Sequence, residues 1–82
     1  MEYKEFKDIP KVIGLKQSLK QIKKGNVSKV VLAEDTDENI KKDIQIACEN
    51  AKVPVIYCKS KVVLGEESGI ERSAAVVALI KE

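Results

Sequence analysis

Histidine and tryptophan are absent from the chain, and aromatic residues make up only 4% of it. Without an imidazole, the Ser-His and Cys-His arrangements that activate a nucleophile are excluded. Cysteine is scarce too: Cys48 and Cys58 are the two present, too few to build a four-ligand zinc site in a chain with no histidine. Each reads as a small buried hydrophobe in a reducing compartment, one on a helix and one on a strand. Long apolar runs are missing, so nothing approaches the roughly 20 residues that span a bilayer. The first eight residues, Met-Glu-Tyr-Lys-Glu-Phe-Lys-Asp, lack the apolar core of a signal peptide, and a cytoplasmic protein is expected.

Several familiar motifs begin and fail. Asp35-Thr36-Asp37-Glu38-Asn39 opens like a calcium loop, but Ile40 stands where the sixth position needs glycine and Ile46 where the twelfth needs glutamate. No glycine-rich stretch runs into Lys-Ser or Lys-Thr as a phosphate-binding loop requires, and Gly65 and Gly69 lie in an amphipathic setting rather than an apolar membrane helix. The acids at Glu34, Asp35, Asp37, Glu66 and Glu67 have the chemistry for acid–base pairing. With no histidine and no nucleophile in a recognisable setting, the expectation is a protein that is not an enzyme and uses neither metal nor cofactor.

What is present describes one small domain over residues 1–82, 44% apolar and 34% charged. The net charge of +2 is unevenly spread: residues 1–24 hold seven lysines against three acids, residues 25–82 eight basic against ten acidic side chains. Such concentration suits a polyanion met through one patch. The patch centres on Gly14 to Gly25. Leu15, Leu19 and Ile22 recur at helical spacing as a stripe that seeks a core, while Lys16, Gln17, Lys20, Lys23 and Lys24 fall on the flank and back. Gly14 permits a tight turn and close approach to the first-turn amides. Gly25 offers a stop, with Lys23 and Lys24 complementing the dipole just before it.

Taken in order, residues 2–9 suggest a leading helix with Tyr3, Phe6 and Ile9 at spacing three, ended by Pro10. Val12 and Ile13 form a very short strand. Lys29 to Ala33 reads as a buried strand, Asp37 caps a helix running to about Lys52, and Val53 to Cys58 is a second strand, parallel to the first through a crossover. Ser60 caps a third helix through Leu64 to Glu67, closed by Ser68 and Gly69. Ser73 to Ile80 reads as a final buried strand, although its alanines also suit a helix; Val76 and Val77 and the preceding glycine turn favour the strand. Helices alternating with buried strands give an α/β/α three-layer sandwich with a four-stranded mixed sheet.

Four stretches stand in order between Val12 and Ile80: Gly14-Leu-Lys-Gln-Ser-Leu-Lys20, Val-Val-Leu-Ala-Glu-Asp-Thr-Asp at 30–37, Val53-Pro-Val-Ile-Tyr57, and Ser60-Lys-Val-Val-Leu-Gly-Glu-Glu-Ser-Gly-Ile70 before the Ala-Val strand. Together they resemble the kink-turn-RNA-binding ribosomal-protein family, of the L-seven-Ae and L-thirty-e type. The resemblance implies the same sandwich fold and an activity: binding sharply bent RNA internal loops whose tandem sheared G·A pairs expose guanine edges and flip out one nucleotide. The family's Asn-Glu-Lys contacts fall here on Lys16, Gln17 and Lys20; the Lys-Gln pair departs from the archaeal and eukaryotic pattern and resembles bacterial members.

An ammonium at Lys16 can donate to guanine O6 or N7, and the Gln17 carbonyl can accept from a guanine N–H, although without the charge of a glutamate. The second implied contact is the loop Gly69, Ile70, Glu71 and Arg72, where Ile70 can cover an unstacked base and Arg72 can clamp phosphate. The resemblance also sets Lys61 near the RNA backbone; Glu34 is left outside the contact, because helix capping or a strand-end role accounts for the acidic run at 34–38. The implied partner is structured RNA containing kink-turns, ribosomal RNA or a riboswitch, met by a monomer with no DNA or membrane involved. Two alternatives keep the fold: a ribosome-associated or assembly protein with incidental kink-turn affinity, and a protein-interaction module using the helix from Asp37 to Ala51.

Overall fold

Val30, Val31, Leu32 and Ala33 are all fully buried, and the strand they form is the spine of the molecule. A computed structural model describes residues 9–81, which form β1 (Lys11–Ile13), α1 (Leu15–Lys24), β2 (Val27–Ala33), α2 (Glu38–Ala51), β3 (Val55–Cys58), α3 (Lys61–Glu67) and β4 (Val76–Ile80). The leading helix expected over residues 2–9 lies, but for Ile9, outside the described residues. The sheet order is β1-β4-β2-β3. Central β4 runs antiparallel to both β1 and β2, pairing Ala78 with Val12 and Val77 with Val31, while β3 lies parallel to β2 with Tyr57 opposite Leu32. This is the expected four-stranded mixed sheet.

Alternation along the strands sends side chains to two different layers. Val30, Leu32, Val76 and Ala78 pack with Ile22 of α1 and with Ile44 and Cys48 of α2 on one face. Val31, Ala33, Val77 and Leu79 pack with Leu64 of α3 on the other. A sheet covered on both faces explains why β2 and β4 read as continuous apolar runs. The two cysteines fall on opposite faces, Cys48 in the first cluster and Cys58 in the second, and both thiols are free. Burial pushes the Cys48 thiol above its ordinary pKa, as suits a residue that serves as packing.

Four strand boundaries differ from the sequence reading: β1 begins one residue early, at Lys11, and the other three shift further. The final strand begins at Val76 rather than Ser73, because the Ala74 amide donates to the Lys61 carbonyl at 3.0 Å, holding the chain against the start of α3, and only from the Ala75 carbonyl, which accepts the Ala33 amide at 3.0 Å, does it meet β2. β3 begins at Val55 rather than Val53: the Val53 amide closes α2 on the Cys48 carbonyl at 2.8 Å, and Pro54 has no amide to pair. β2 starts earlier, at Val27, through an irregularity between Val27 and Lys29. The caps divide as well. Ser60 accepts from the Val63 amide at 3.1 Å, whereas Asp37 occupies the cap position of α2 without a side-chain bond.

Candidate nucleic-acid interface

Because β1, β2 and β3 run one way and β4 the other, the C-terminal ends of three strands and the start of β4 share one end of the sheet. There the chain leaves β1 into α1, β2 into the turn before α2 and β3 into α3, and enters β4 from the loop after α3. Three helix N-termini therefore gather at this end, the place where open α/β sheets offer ligands a crevice. Main-chain bonds tie the connections together. The Gly14 amide donates to the Val76 carbonyl at 2.9 Å, the Ala33 amide to Ala75 at 3.0 Å, and the Thr36 hydroxyl to the same Ala75 carbonyl at 3.4 Å. The start of α1 and the loop before β4, read separately in the sequence, thus share one end of the sheet, α1 on one face and the loop against α3 on the other.

Gly14 sits at φ 106°, a conformation L side chains rarely adopt, and nothing described lies within 4 Å of where its Cβ would be. The first turn of α1 has no acidic residue and no side-chain cap, so no side chain of its own offsets the positive end of the dipole. Lys16, Gln17 and Lys20 are exposed on the outer surface, while Ser18 and Ile22 are buried and Leu15 and Leu19 partly so. The two faces foreseen from the periodicity are realised, with one addition: Ser18, small enough to let α1 lie against the sheet, is fully buried with its hydroxyl unpaired among the described residues.

On the other side of β4, Glu71 and Arg72 are exposed and Ile70 is half-buried, packing partly against the α3-side core with its amide bonded to the Gly65 carbonyl at 3.1 Å. Ile70 therefore offers a ligand only part of its surface. A hollow of about 550 Å³ lies between this loop and α3, lined by Val62, Glu66, Ile70, Arg72 and Ser73 among others. Lys61 is half-buried, and its backbone links two turns: its amide donates to the Asp35 carboxylate at 2.8 Å and its carbonyl accepts from Ala74. Asp35 thus orders the start of α3, a structural use of the acidic turn.

One residue that shapes this end was not singled out in the sequence for that purpose. Gly65 is buried in the middle of α3, and a Cβ there would overlap the Arg72 carbonyl oxygen and stand 3.0 Å from its carbon. The backbone of the loop rests directly on the helix, and Gly65 sets its height. Glycine within a seven-residue helix was the available signal, since it costs helix stability unless something must come close.

Charge is sorted across the end of the sheet. α1 carries Lys16, Lys20, Lys23 and Lys24 and no acid, while Asp35, Asp37 and Glu38 cluster after β2 around a hollow of about 490 Å³. Among the described residues the single ion pair joins Lys41 and Glu38 of α2 at 3.5 Å, so the α1 lysines and Arg72 have no carboxylate partner there. No described group of His, Cys, Asp and Glu is arranged to hold a metal ion, and no described helix is long and apolar enough to cross a membrane.

Residues 7–82 match the ribosomal protein L7Ae/L30e/S12e/Gadd45 family. The chain belongs to that family. Relatives of the L7Ae/L30e/S12e/Gadd45 family include an RNA-binding protein of Staphylococcus aureus, 39% identical over 70 residues that cover 85% of this chain and 83% of the relative. Among solved structures, the 15.5 kD RNA-binding protein of Giardia lamblia superposes with a TM-score of 0.86 at 26% identity, covering 98% of this chain and 68% of that one. A protein of unknown function from Bacillus halodurans shares the fold, with a TM-score of 0.82 at 24% identity over 87% of this chain and 71% of that one. Membership agrees with the fold expected from the sequence, and the relatives named for RNA binding are similar to this chain over most of its length.

Proposed function

We propose that this protein recognises RNA kink-turns and stabilises their bent form. The observation that carries the reading is the convergence, through the Gly14 amide on the Val76 carbonyl, of an acid-free basic helix start with the loop Gly69, Ile70, Glu71 and Arg72 at one end of the sheet. A bent internal loop offers the matching pair of surfaces, guanine edges in a widened groove and an unstacked base beside it. Lys16 and Gln17 read the guanine edges, and Ile70 covers the unstacked base with the face its core packing leaves open. Lys20, Lys61 and Arg72 meet phosphates and fix the register. The RNA samples extended and kinked states, and contacts made only with the kinked one shift the population toward it. The protein does this as a cytoplasmic monomer.

The family description favours a second setting for the same surface, a ribosome-associated protein whose RNA is ribosomal. Titration into a fluorescently labelled kink-turn duplex, beside the same duplex with its G·A pairs replaced by Watson–Crick pairs, tests the reading at fixed salt. Tight binding to the first alone is expected, and Lys16→Ala and Gln17→Ala should each cost roughly 1–3 kcal/mol. Equal, weak binding to both duplexes would leave only polyanion affinity.

A further inference from the structure

The stretch from Lys61 to Ala75 holds α3 and the loop before β4, and its own backbone closes it into one unit. The Ala74 amide donates to the Lys61 carbonyl at 3.0 Å, the Ile70 amide donates to the Gly65 carbonyl at 3.1 Å, and the Arg72 carbonyl rests against Gly65. Helix and loop are therefore placed together. The unit's apolar hold on the sheet is small for its length: Leu64 and Ala74 are its buried apolar side chains, with Val63 and Ile70 partly buried beside them.

Two neighbouring residues of the turn after β2 reach across to this unit. The Asp35 carboxylate accepts the Lys61 amide at 2.8 Å, a short bond to a charged acceptor at the unit's first residue. The Thr36 hydroxyl, on a side chain that is buried, donates to the Ala75 carbonyl at 3.4 Å, a longer and weaker bond at its last residue. The turn is itself fixed to the sheet, since the Glu34 amide donates to the Cys58 carbonyl at 2.8 Å and the Thr36 amide to the Ala33 carbonyl at 3.2 Å. Adjacent side chains at the end of the most buried strand thus hold both feet of the piece that carries Ile70 and Arg72. Asp35 is the stronger of the two holds. A ligand read in two parts, by α1 and by this loop, needs a fixed span between them, and a loose supporting contact spoils such a site. An exposed acid at this end of the molecule would otherwise only repel phosphate.

We propose that Asp35 is a positioning residue for RNA recognition: by holding the Lys61 amide it sets the pose of the loop Gly69, Ile70, Glu71 and Arg72 relative to α1, without touching the RNA. This rests on the kink-turn reading above and adds to it the side chain that fixes the second of the two surfaces.

The test compares the full-length parent, Asp35→Ala and Asp35→Asn by two readouts. One is binding to the kink-turn duplex and to its Watson–Crick counterpart at fixed salt; the other is amide hydrogen exchange of the RNA-free protein, followed by NMR. Asp35→Ala should bind the kink-turn about tenfold more weakly while its binding to the Watson–Crick duplex stays at the parent's level. Its amides should exchange faster at Lys61, Ala74 and residues 69–72, with β2 as protected as in the parent. Asp35→Asn keeps an acceptor oxygen at the same place and should restore both readouts. A role in stability alone would weaken binding to both duplexes together and speed exchange throughout, and an acid that merely repels phosphate would leave both variants binding more tightly than the parent. Either pattern overturns the proposal, as does an alanine variant indistinguishable from the parent. If the parent binds the two duplexes alike, the kink-turn reading fails, and exchange then decides the matter for Asp35 by itself. Faster exchange at 69–72 in the alanine variant, restored by asparagine, retains its hold on the loop; parent-like exchange overturns it.

Discussion

Gly65 and Lys16 illustrate the two ways a single residue serves this protein. Lys16 is exposed and its role depends on what it meets, whereas Gly65 is buried and its role is the space it leaves for the Arg72 carbonyl. Substituting Gly65 by alanine forces the loop off α3. A loss of about 1–3 kcal/mol of stability is expected by urea denaturation, as for other overpacked sites, together with weaker RNA binding in the fraction that remains folded. A variant with the parent's stability would show that the loop can rise without cost. Cys48 is the case where burial alone sets the chemistry. The unfolded thiol ionises at its ordinary pKa while burial keeps the folded one protonated, so stability is level at neutral pH and erodes in alkali above that ordinary value.

At the scale of elements, sequence pattern served where one element's own residues decide its form. The stripe of Leu15, Leu19 and Ile22 and the continuous run of β2 marked their own elements, and α1 and α2 end where expected. It served less well where distant partners decide. Nothing local in Ser73 and Ala74 says that Lys61 will claim the Ala74 amide, so the start of a run that looks like strand stays outside the sheet. Cap positions show the same division. Ser60 and Asp37 are equally good cap residues by type, but only Ser60 bonds the helix it precedes. Ser60→Ala is expected to lower stability by about 1 kcal/mol and Asp37→Ala by much less, measured by chemical denaturation of both variants. Equal losses would mean that Asp37 acts through the helix dipole rather than through a bond.

For the whole molecule, the fold brings together what the chain keeps apart. Positions 14–20 and 69–72 lie far apart in sequence, and it is β4, antiparallel between β1 and β2, that delivers the loop to the start of α1. The mixed sheet was legible from the alternation of helices and strands, whereas the candidate site residues rest on the resemblance to a known family. Neither the seating of the loop on Gly65 nor the anchoring of α3 by Asp35 was legible, because both depend on backbone contacts across the fold. The outcome is an end of the molecule with a basic helix on one side and an acidic turn on the other, a charge arrangement suited to orienting the RNA proposed above rather than merely attracting it. If this surface selects a bent RNA, as proposed above, energy transfer between dyes on the two arms of a kink-turn will report it. Addition of protein at low divalent salt should raise the transfer to the level of the kinked state, with a midpoint that matches the binding curve. Saturated binding with the transfer left at its extended-state value would contradict it.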